Sequence, residues 1–513
     1  MTPNVLHPLF EHVPTPTILA IPVLVGLVYY VISSLRTYRR LSHIPGPALA
    51  AWTNLWWINA AVSRKGHLYL HGAIEKYGTP AGRPLVRIAP NVLVTCDTDL
   101  IRKMNVVRST YTRSDWYKAF RFDADRENLF SETNKERHSK MKQKVALGYS
   151  GKENPNLEPD MDKVILSMIN LIKTKYISSG SSLKPMDLGQ VLQYLTLDII
   201  TALSLGKAFG WLEDEDKYAY VATMEANLPA MNFMSAVPAL SRLLRIPAIQ
   251  RAVLPTVKDR VGMGKVKAVA REAITERFQP GTQKKTRNDM IQSFIEHGLT
   301  QAEIADESLL QILAGSDTSA SIMRTAFICI TTNPRVYTRL KAEIMSTDVP
   351  LDSVISHTQA QQLPYLNACI KETMRYYPIN MGLGPKIVGP QGDTHRGIYL
   401  PPGTEIGFSA WDVYRYNPVY GPDAATYRPE RWLDNDAETL ARMEKEHDLV
   451  FWYGEFRCMG ERIAWIEIRK SMFELLRRFH FSLMNPMQPL QKEENYGLWL
   501  QRGLMVRAEE QQK

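Results

Sequence analysis

The sequence predicts a mainly α protein with small β-sheets, carried on an amino-terminal transmembrane helix. Three observations predict it. An uncharged stretch of 18 residues, Ile18 to Leu35, lies near the start. Helical periodicity fills the segments near 161–178, 190–205, 259–278, 301–332, 361–376 and 461–479. Strand patterning is confined to Leu85–Ala89 with Val92–Thr95, to Gly397–Phe408, and to the region near Tyr496–Val506. With 513 residues, 45% hydrophobic and 22% charged, the chain can bury a large core, which excludes a disordered tail or a collagen. A net charge of +9 over that length leaves no nucleic-acid footprint, so no nucleic-acid partner is expected. The four cysteines, Cys96, Cys329, Cys369 and Cys458, form no CxxC pair. That excludes a zinc ribbon and a disulfide framework, and three of the four are expected in the core.

The first element is the apolar stretch itself. Eighteen residues as a helix approach the thickness of a bilayer core. No Lys or Arg precedes it, and Arg36, Arg39 and Arg40 follow at once. The positive-inside rule then places the remainder in the cytoplasm. A cleaved signal peptide would need a basic start and a small-residue cleavage site, which are not there. Residues 1–40 are therefore expected to be a luminal amino terminus and anchor. Residues 41–50 are a hinge, stiffened by His43-Ile44-Pro45-Gly46-Pro47. Residues 51–513 then read as one large domain. Within it, Pro90-Asn91 separates the two strands of a short hairpin.

The distal helix comes next. Thr300-Gln301-Ala302-Glu303 is a capping box and Asn333-Pro334 a stop, which brackets a helix of about 30 residues and about 45 Å. Ala314-Gly315-Ser316-Asp317-Thr318 interrupts its middle. Glycine there costs about 1 kcal/mol relative to alanine, and a threonine hydroxyl bonding back to a carbonyl can bend a helix. Two readings stand: a kink at a helix crossing, or close approach of a ligand, with Thr318 offering a hydroxyl to dioxygen and Asp317 handling protons. Further on, Glu372 and Arg375 share a helix face before Pro378. Arg431, in Pro429-Glu430-Arg431-Trp432, would complete a buried Glu–Arg–Arg network. Glu474 and Arg477 have the same spacing and read as a solvated pair.

The strongest signal is Phe451-Trp452-Tyr453-Gly454-Glu455-Phe456-Arg457-Cys458-Met459-Gly460. Ala464, Ile468, Met472, Leu475 and Phe479 then recur as one helical stripe. Cys458 thus sits in a glycine-flanked loop just before a helix amino terminus, where free N–H groups favour a thiolate. A packed cysteine is one reading. A thiolate ligand to haem iron is the other.

Taken together, these residues resemble the cytochrome P450 family of haem-thiolate monooxygenases. The anchor, the proline hinge, Ala314–Thr318, Glu372/Arg375, Pro429–Trp432 and Phe451–Gly460 follow in that family's order. Gly148-Tyr149-Ser150-Gly151-Lys152-Glu153, Leu363-Pro364-Tyr365-Leu366 and Gly403-Thr404-Glu405-Ile406-Gly407 are similar to microsomal fungal members of the pisatin demethylase-like type. The resemblance implies a triangular-prism fold with haem b between the distal helix and the Cys458 loop. It implies Cys458 as the metal ligand, Thr318 and Asp317 as the catalytic pair, and Phe451, Gly454, Arg457, Gly460 and Gly315 along the cofactor. It also implies dioxygen, electrons from NADPH through a cytochrome P450 reductase, an endoplasmic-reticulum membrane, and a lipophilic terpenoid, alkaloid or aromatic substrate. Trp116–Phe130, Met381–Pro385 and Leu498–Gly503 would roof its pocket. Lys140, Lys142, Lys144, Arg457, Arg462, Arg469 and Lys470 would form a basic face for the reductase.

Two departures stand out. Phe456 occupies the place where the family usually has the arginine that binds a haem propionate. The helix that normally supplies Trp and Arg four apart reads His138-Ser139-Lys140-Met141-Lys142. His138, Lys142 and Lys386 are the remaining candidates for the propionates. Two rivals stay open. One is a haem-thiolate isomerase or dehydratase that does not activate dioxygen. The other is a tethered helical binding protein without haem.

Overall fold

The computed structural model describes residues 15–78, 85–123, 126–180, 182–243, 246–279 and 288–511. The expected luminal segment before Thr15 and residues 124–125 of the Trp116–Phe130 segment lie outside them. The long helices used below are α1 (Thr15–Arg40), α2 (Lys135–Ser150), α3 (Leu157–Leu171), α4 (Leu188–Leu205), α5 (Tyr220–Ala236), α6 (Gly262–Arg277), α7 (Gln301–Thr331), α8 (Pro364–Tyr376) and α9 (Glu461–Arg478).

Helix α1 runs past the apolar stretch at both ends. Arg87 donates to the carbonyls of Thr37 (3.2 Å) and Tyr38 (3.5 Å) at its last turn. Tyr38 stacks on Trp52 at 4.3 Å. The hinge is a docked turn, since Pro45 accepts from the Arg87 amide at 2.8 Å and Leu41 and Ile44 are core residues. Among the described residues, the one helix long and apolar enough to cross a membrane is α4, and it is 94% buried. A helix that is apolar all round belongs in a core.

Helix α7 is the axis. Its capping box closes as the sequence predicts: the Glu303 amide donates to the Thr300 hydroxyl and the Glu303 carboxylate accepts from the Thr300 amide. It then runs 31 residues without a break, because α4 packs along it while α6, α8 and α9 close round it. One continuous hydrophobic core extends from Leu41 to Ala508. The predicted solvated pair is not solvated. Glu474 is fully buried between Arg477 (2.7 Å) and Arg478 (2.8 Å) and also accepts from the Ile355 amide. The helix face that carries it is covered by the 349–355 segment, which Arg477 also bonds.

A five-stranded sheet flanks the helices in the order β1 (Leu85–Ala89), β2 (Val92–Thr95), β5 (Glu405–Phe408), β4 (Lys386–Ile387), β3 (Thr112–Arg113). The first pair is the predicted hairpin, with Leu85 opposite Thr95. Strand β5 joins β2 in parallel, Val92 opposite Glu405. Strands β3 and β4 have two residues each, too short for a period-two pattern to register, and they set Arg113 directly across from Lys386.

Candidate active site

The Cys458 loop is built from its own charges. Arg457 is clasped from two sides: Asp448 accepts from Nη1 at 2.9 Å and from Nη2 at 2.7 Å, and Glu461 accepts from Nε at 2.6 Å and from Nη2 at 2.8 Å. These carboxylates hold the guanidinium well above its usual range. Arg457 thereby closes the loop against the first turn of α9. The Cys458 amide donates to the Phe451 carbonyl at 2.8 Å, so Phe451 serves the loop through its backbone. Gly454 has φ +60°, and a Cβ there would lie 2.3 Å from the Asn105 carbonyl. That packing demands a glycine here. Gly460 meets only the Cys458 sulfur, at 3.9 Å.

Cys96, Cys329 and Cys369 are buried and Cys458 is exposed. Loop atoms crowded behind its sulfur push the thiol up, while the N–H groups of Gly460 and Glu461, at the start of α9, pull it back toward thiolate.

The middle of α7 opens in the same way. Ala314 is exposed between buried Ile312 and Ser316, and Asp317 and Thr318 are half-buried. The Thr318 hydroxyl donates to the Ala314 carbonyl at 2.8 Å. A Cβ on Gly315 would meet Ile200 of α4 at 3.1 Å. The crossing with α4 therefore accounts for a glycine at this position. Glu467 of α9 hydrogen-bonds Ser319, next to Thr318, and burial pushes its carboxyl up to about 8. The Asp317 carboxyl is likewise pushed up to about 6 by burial, against the pull of Arg324 and of a Gln193 hydrogen bond (2.7 Å), and with the help of Glu225.

A third feature lies around Phe456. Lys386 sits over its ring at 3.1 Å, Arg113 at 4.4 Å, and the His138 ring at 4.7 Å. All three are buried; among the described residues Lys386 Nζ, His138 Nδ1 and Arg113 Nε have no hydrogen-bond partner, while Arg113 Nη1 donates to the Leu129, Phe130 and Glu132 carbonyls. Burial and neighbouring cations hold Lys386 well below the usual lysine range and take His138 to about 2, while burial alone, against the pull of Tyr117, Glu455 and Glu132, brings Arg113 to about 10. Glu455, the carboxylate that acts on Lys386 and Arg113, pairs with Lys135. Lys142 adds to the repulsion on His138, and its ammonium donates to the Glu455 carbonyl at 2.6 Å.

Two buried cations, Arg113 and Lys386, beside a buried neutral imidazole are costly to assemble unless an anion meets them. Their chemistry suits an anion bearing two carboxylates, and Cys458 lies two residues from Phe456 on the same loop, exposed just before α9. That donor set defines a haem-thiolate protein. The chain belongs to the cytochrome P450 family, whose family model, described as "Cytochrome P450", matches residues 45–506. It is 36% identical over 492 residues to "Cytochrome P450 monooxygenase ABA1" of Pyricularia oryzae, covering 94% of this chain and 95% of that protein. It is 35% identical over 478 residues to "Cytochrome P450 monooxygenase aba1" of Botryotinia fuckeliana, covering 92% of each. "Cytochrome P450 monooxygenase gsfF" of Penicillium aethiopicum is 29% identical over 470 residues, 88% of this chain and 90% of that protein. The protein is a haem-thiolate monooxygenase, an oxidoreductase that uses haem b, and NADPH supplies the electrons through a redox partner.

Sequence reasoning missed Arg113, which only the strand pairing brings to Lys386. It also missed Gln193 and Arg324, which lie on core helices and look like ordinary helix residues. We expect Lys386→Met to weaken haem retention by roughly 10- to 100-fold, since a hydrogen bond to a charged group contributes about 1.5–3 kcal/mol. Haem transfer to apomyoglobin measures it. The same change relieves an unpaired buried cation, so the apoprotein should melt higher. The sign with pH follows. His138 is held at about 2 when folded against 6.5 ordinarily, so the unfolded chain binds the extra proton between those values. Apoprotein stability is then lost as pH falls below about 6.5.

Proposed function

We propose that this chain hydroxylates, or otherwise oxidises, a lipophilic secondary metabolite of terpenoid, alkaloid or aromatic type. Cys458 would be the axial ligand to haem iron, and Arg113, His138 and Lys386 would hold its propionates. The haem, when bound, supplies the iron at which dioxygen is reduced and cleaved. The chain's own residues place and protect. Thr318 offers its hydroxyl over the opened stretch of α7, and Asp317 holds a proton beside it. Supporting a lipophilic substrate is the wall facing that stretch by family position. Trp116 lies against Gly382, and Met381 and Leu383 share its cavity. Tyr117, Phe120 and Phe130 pack round Trp116 as an aromatic cluster.

We infer that α1 anchors the protein, single-pass, in the endoplasmic-reticulum membrane with residues 41–50 as hinge and 51–513 as the cytoplasmic catalytic domain. Leu24, Val25, Val28, Tyr29, Ile32 and Leu35 are exposed on that helix, and such a surface suits lipid. An NADPH–cytochrome P450 reductase would dock on the Cys458 side. The basic face there is smaller than the sequence suggests. Lys470 is buried between Glu158 and Asp162, Arg469 bonds Asn367, Lys144 bonds the Gly298 carbonyl, and Arg457 and Lys142 are engaged as described. Lys140 and Arg462 remain exposed.

The test is product analysis after co-expression with a reductase and terpenoid or alkaloid precursors. In the same assay, Thr318→Ala should lower product by about 10²-fold, the lower end of what positioned proton transfer contributes. NADPH oxidation should continue and appear as hydrogen peroxide. Unchanged product from Thr318→Ala would favour the isomerase or dehydratase reading instead.

A further inference from the structure

Behind Asp317, on the side of α7 that faces α4, lies a buried polar cluster with no part in packing a cofactor. Gln193 of α4 and Arg324 of α7 are 3% and 7% exposed. Gln193 Nε2 donates to Asp317 Oδ1 at 2.7 Å. Its carbonyl oxygen accepts from Arg324 Nη2, and Arg324 Nε donates to the Gly189 carbonyl at 3.0 Å. The guanidinium has only donors, so it can bind nothing but the oxygen end of the amide. It thereby fixes the amide's orientation and turns the NH2 end permanently toward Asp317. Farther out, Glu225 of α5 is ion-paired with Arg502, which is 44% exposed, and its negative charge acts on both Asp317 and Arg324.

We propose that Gln193, oriented by Arg324, and Glu225, tied to Arg502, are opposed positioning residues for Asp317: the first favours release of the proton that Asp317 passes toward Thr318, the second favours its uptake. The amide donor stabilises the carboxylate, and the neighbouring anion stabilises the acid. The Thr318 hydroxyl donates to the Ala314 carbonyl rather than to either of them, so Gln193 acts through Asp317, and Glu225 acts on Asp317 both directly and by way of Arg324. The other groups facing this cluster are Tyr220, whose buried hydroxyl has no hydrogen-bond partner and titrates far above neutrality, Asp187 beside Arg324, and Asp216 beside Glu225. The inference rests on the reading of Asp317 and Thr318 as the proton-handling pair.

The test uses the haem-loaded full chain with its reductase, and reads product per NADPH against pH. Removing the donor in Gln193→Leu should move the alkaline limb up by about one pH unit, and removing the anion in Glu225→Gln should move it down by a similar amount. Asp317→Asn should erase the limb. A second readout is the carboxylic C=O infrared band of Asp317, assigned by its loss in Asp317→Asn; its midpoint should move with each limb. Glu225 lies near the surface, so its variant keeps the test alive even where Gln193→Leu folds poorly. Limbs that coincide with the unaltered enzyme, or that shift in one common direction, overturn the proposal. An unaltered protein lacking the thiolate-haem carbon monoxide band would instead remove the reading on which it rests.

Discussion

Cys458→Ala is expected to leave a folded protein with no monooxygenase activity, and its reduced form should lack the thiolate-haem band with carbon monoxide. The side chain is exposed, and it is the one exposed cysteine of four. The loop that carries it is held by other groups: Arg457 between Asp448 and Glu461, and the Cys458 amide on the Phe451 carbonyl. Neither depends on the sulfur, so the melting transition should move by no more than the ±0.5 kcal/mol usual for a surface substitution. What disappears is the electron-rich axial ligand that favours O–O cleavage. Cys458→Ser serves as the closer isostere. A pigment with unaltered axial ligation in either variant would mean that another residue binds the iron.

Glu372→Leu should have the largest effect on folding. Glu372, Arg375 and Arg431 have side chains with no exposure at all. The carboxylate accepts five hydrogen bonds: from Arg375 Nε and Nη2 at 2.9 and 2.8 Å, from Arg431 Nε at 2.9 Å, from the Arg428 amide at 2.8 Å and from Trp432 Nε1 at 3.0 Å. Arg375 in turn holds the carbonyls of Tyr414, Ala424 and Thr426, and Arg431 those of Tyr420, Asp423 and Thr426. The Glu372 carboxylate therefore ties together two guanidinium groups, Arg431 also pairing with Asp423 at 3.1 Å, that pin residues 414–426 to α8. Removing it leaves Arg375 buried without a carboxylate and Arg431 with Asp423 alone, at a cost of about 3–5 kcal/mol. That is a large fraction of a typical domain's stability. The loss should reach the cysteine loop as well. Trp432 packs on His447 at 5.1 Å, and His447 immediately precedes Asp448, the partner of Arg457. Denaturant unfolding and the fraction of protein recovered with haem measure the two effects. Arg375→Lys alone should also lower both, because a lysine ammonium cannot reproduce the two-pronged contact with Glu372. Wild-type stability in Glu372→Leu would show that the network is dispensable.

The two predictions differ in how far the sequence alone supports them. Cys458 and its loop could be read directly, because a glycine-flanked cysteine before an amphipathic helix is a local pattern. The same is true of the Thr300–Glu303 cap, the Leu85–Thr95 hairpin and the i, i+3 pair Glu372/Arg375. Arg431 needed the assumption that residues 59 positions away come together. Glu474 misled, since a local charge pair looks identical whether it faces water or the 349–355 segment.

Local chemistry fixed what each segment could be. The run of apolar spacing made α7 a helix, the caps set its ends, and the backbone N–H groups before α9 made Cys458 a place for a thiolate. Tertiary structure alone decided what each charge does. Arg457 turns to two carboxylates, while Arg113 and Lys386 meet across a two-residue strand pair and Gln193 is locked on Asp317 by Arg324. The physical reason is the range of the forces. Helix caps and dipoles act within a turn, but the free energy of a buried charge depends on every group packed round it, and those groups come from distant parts of the chain.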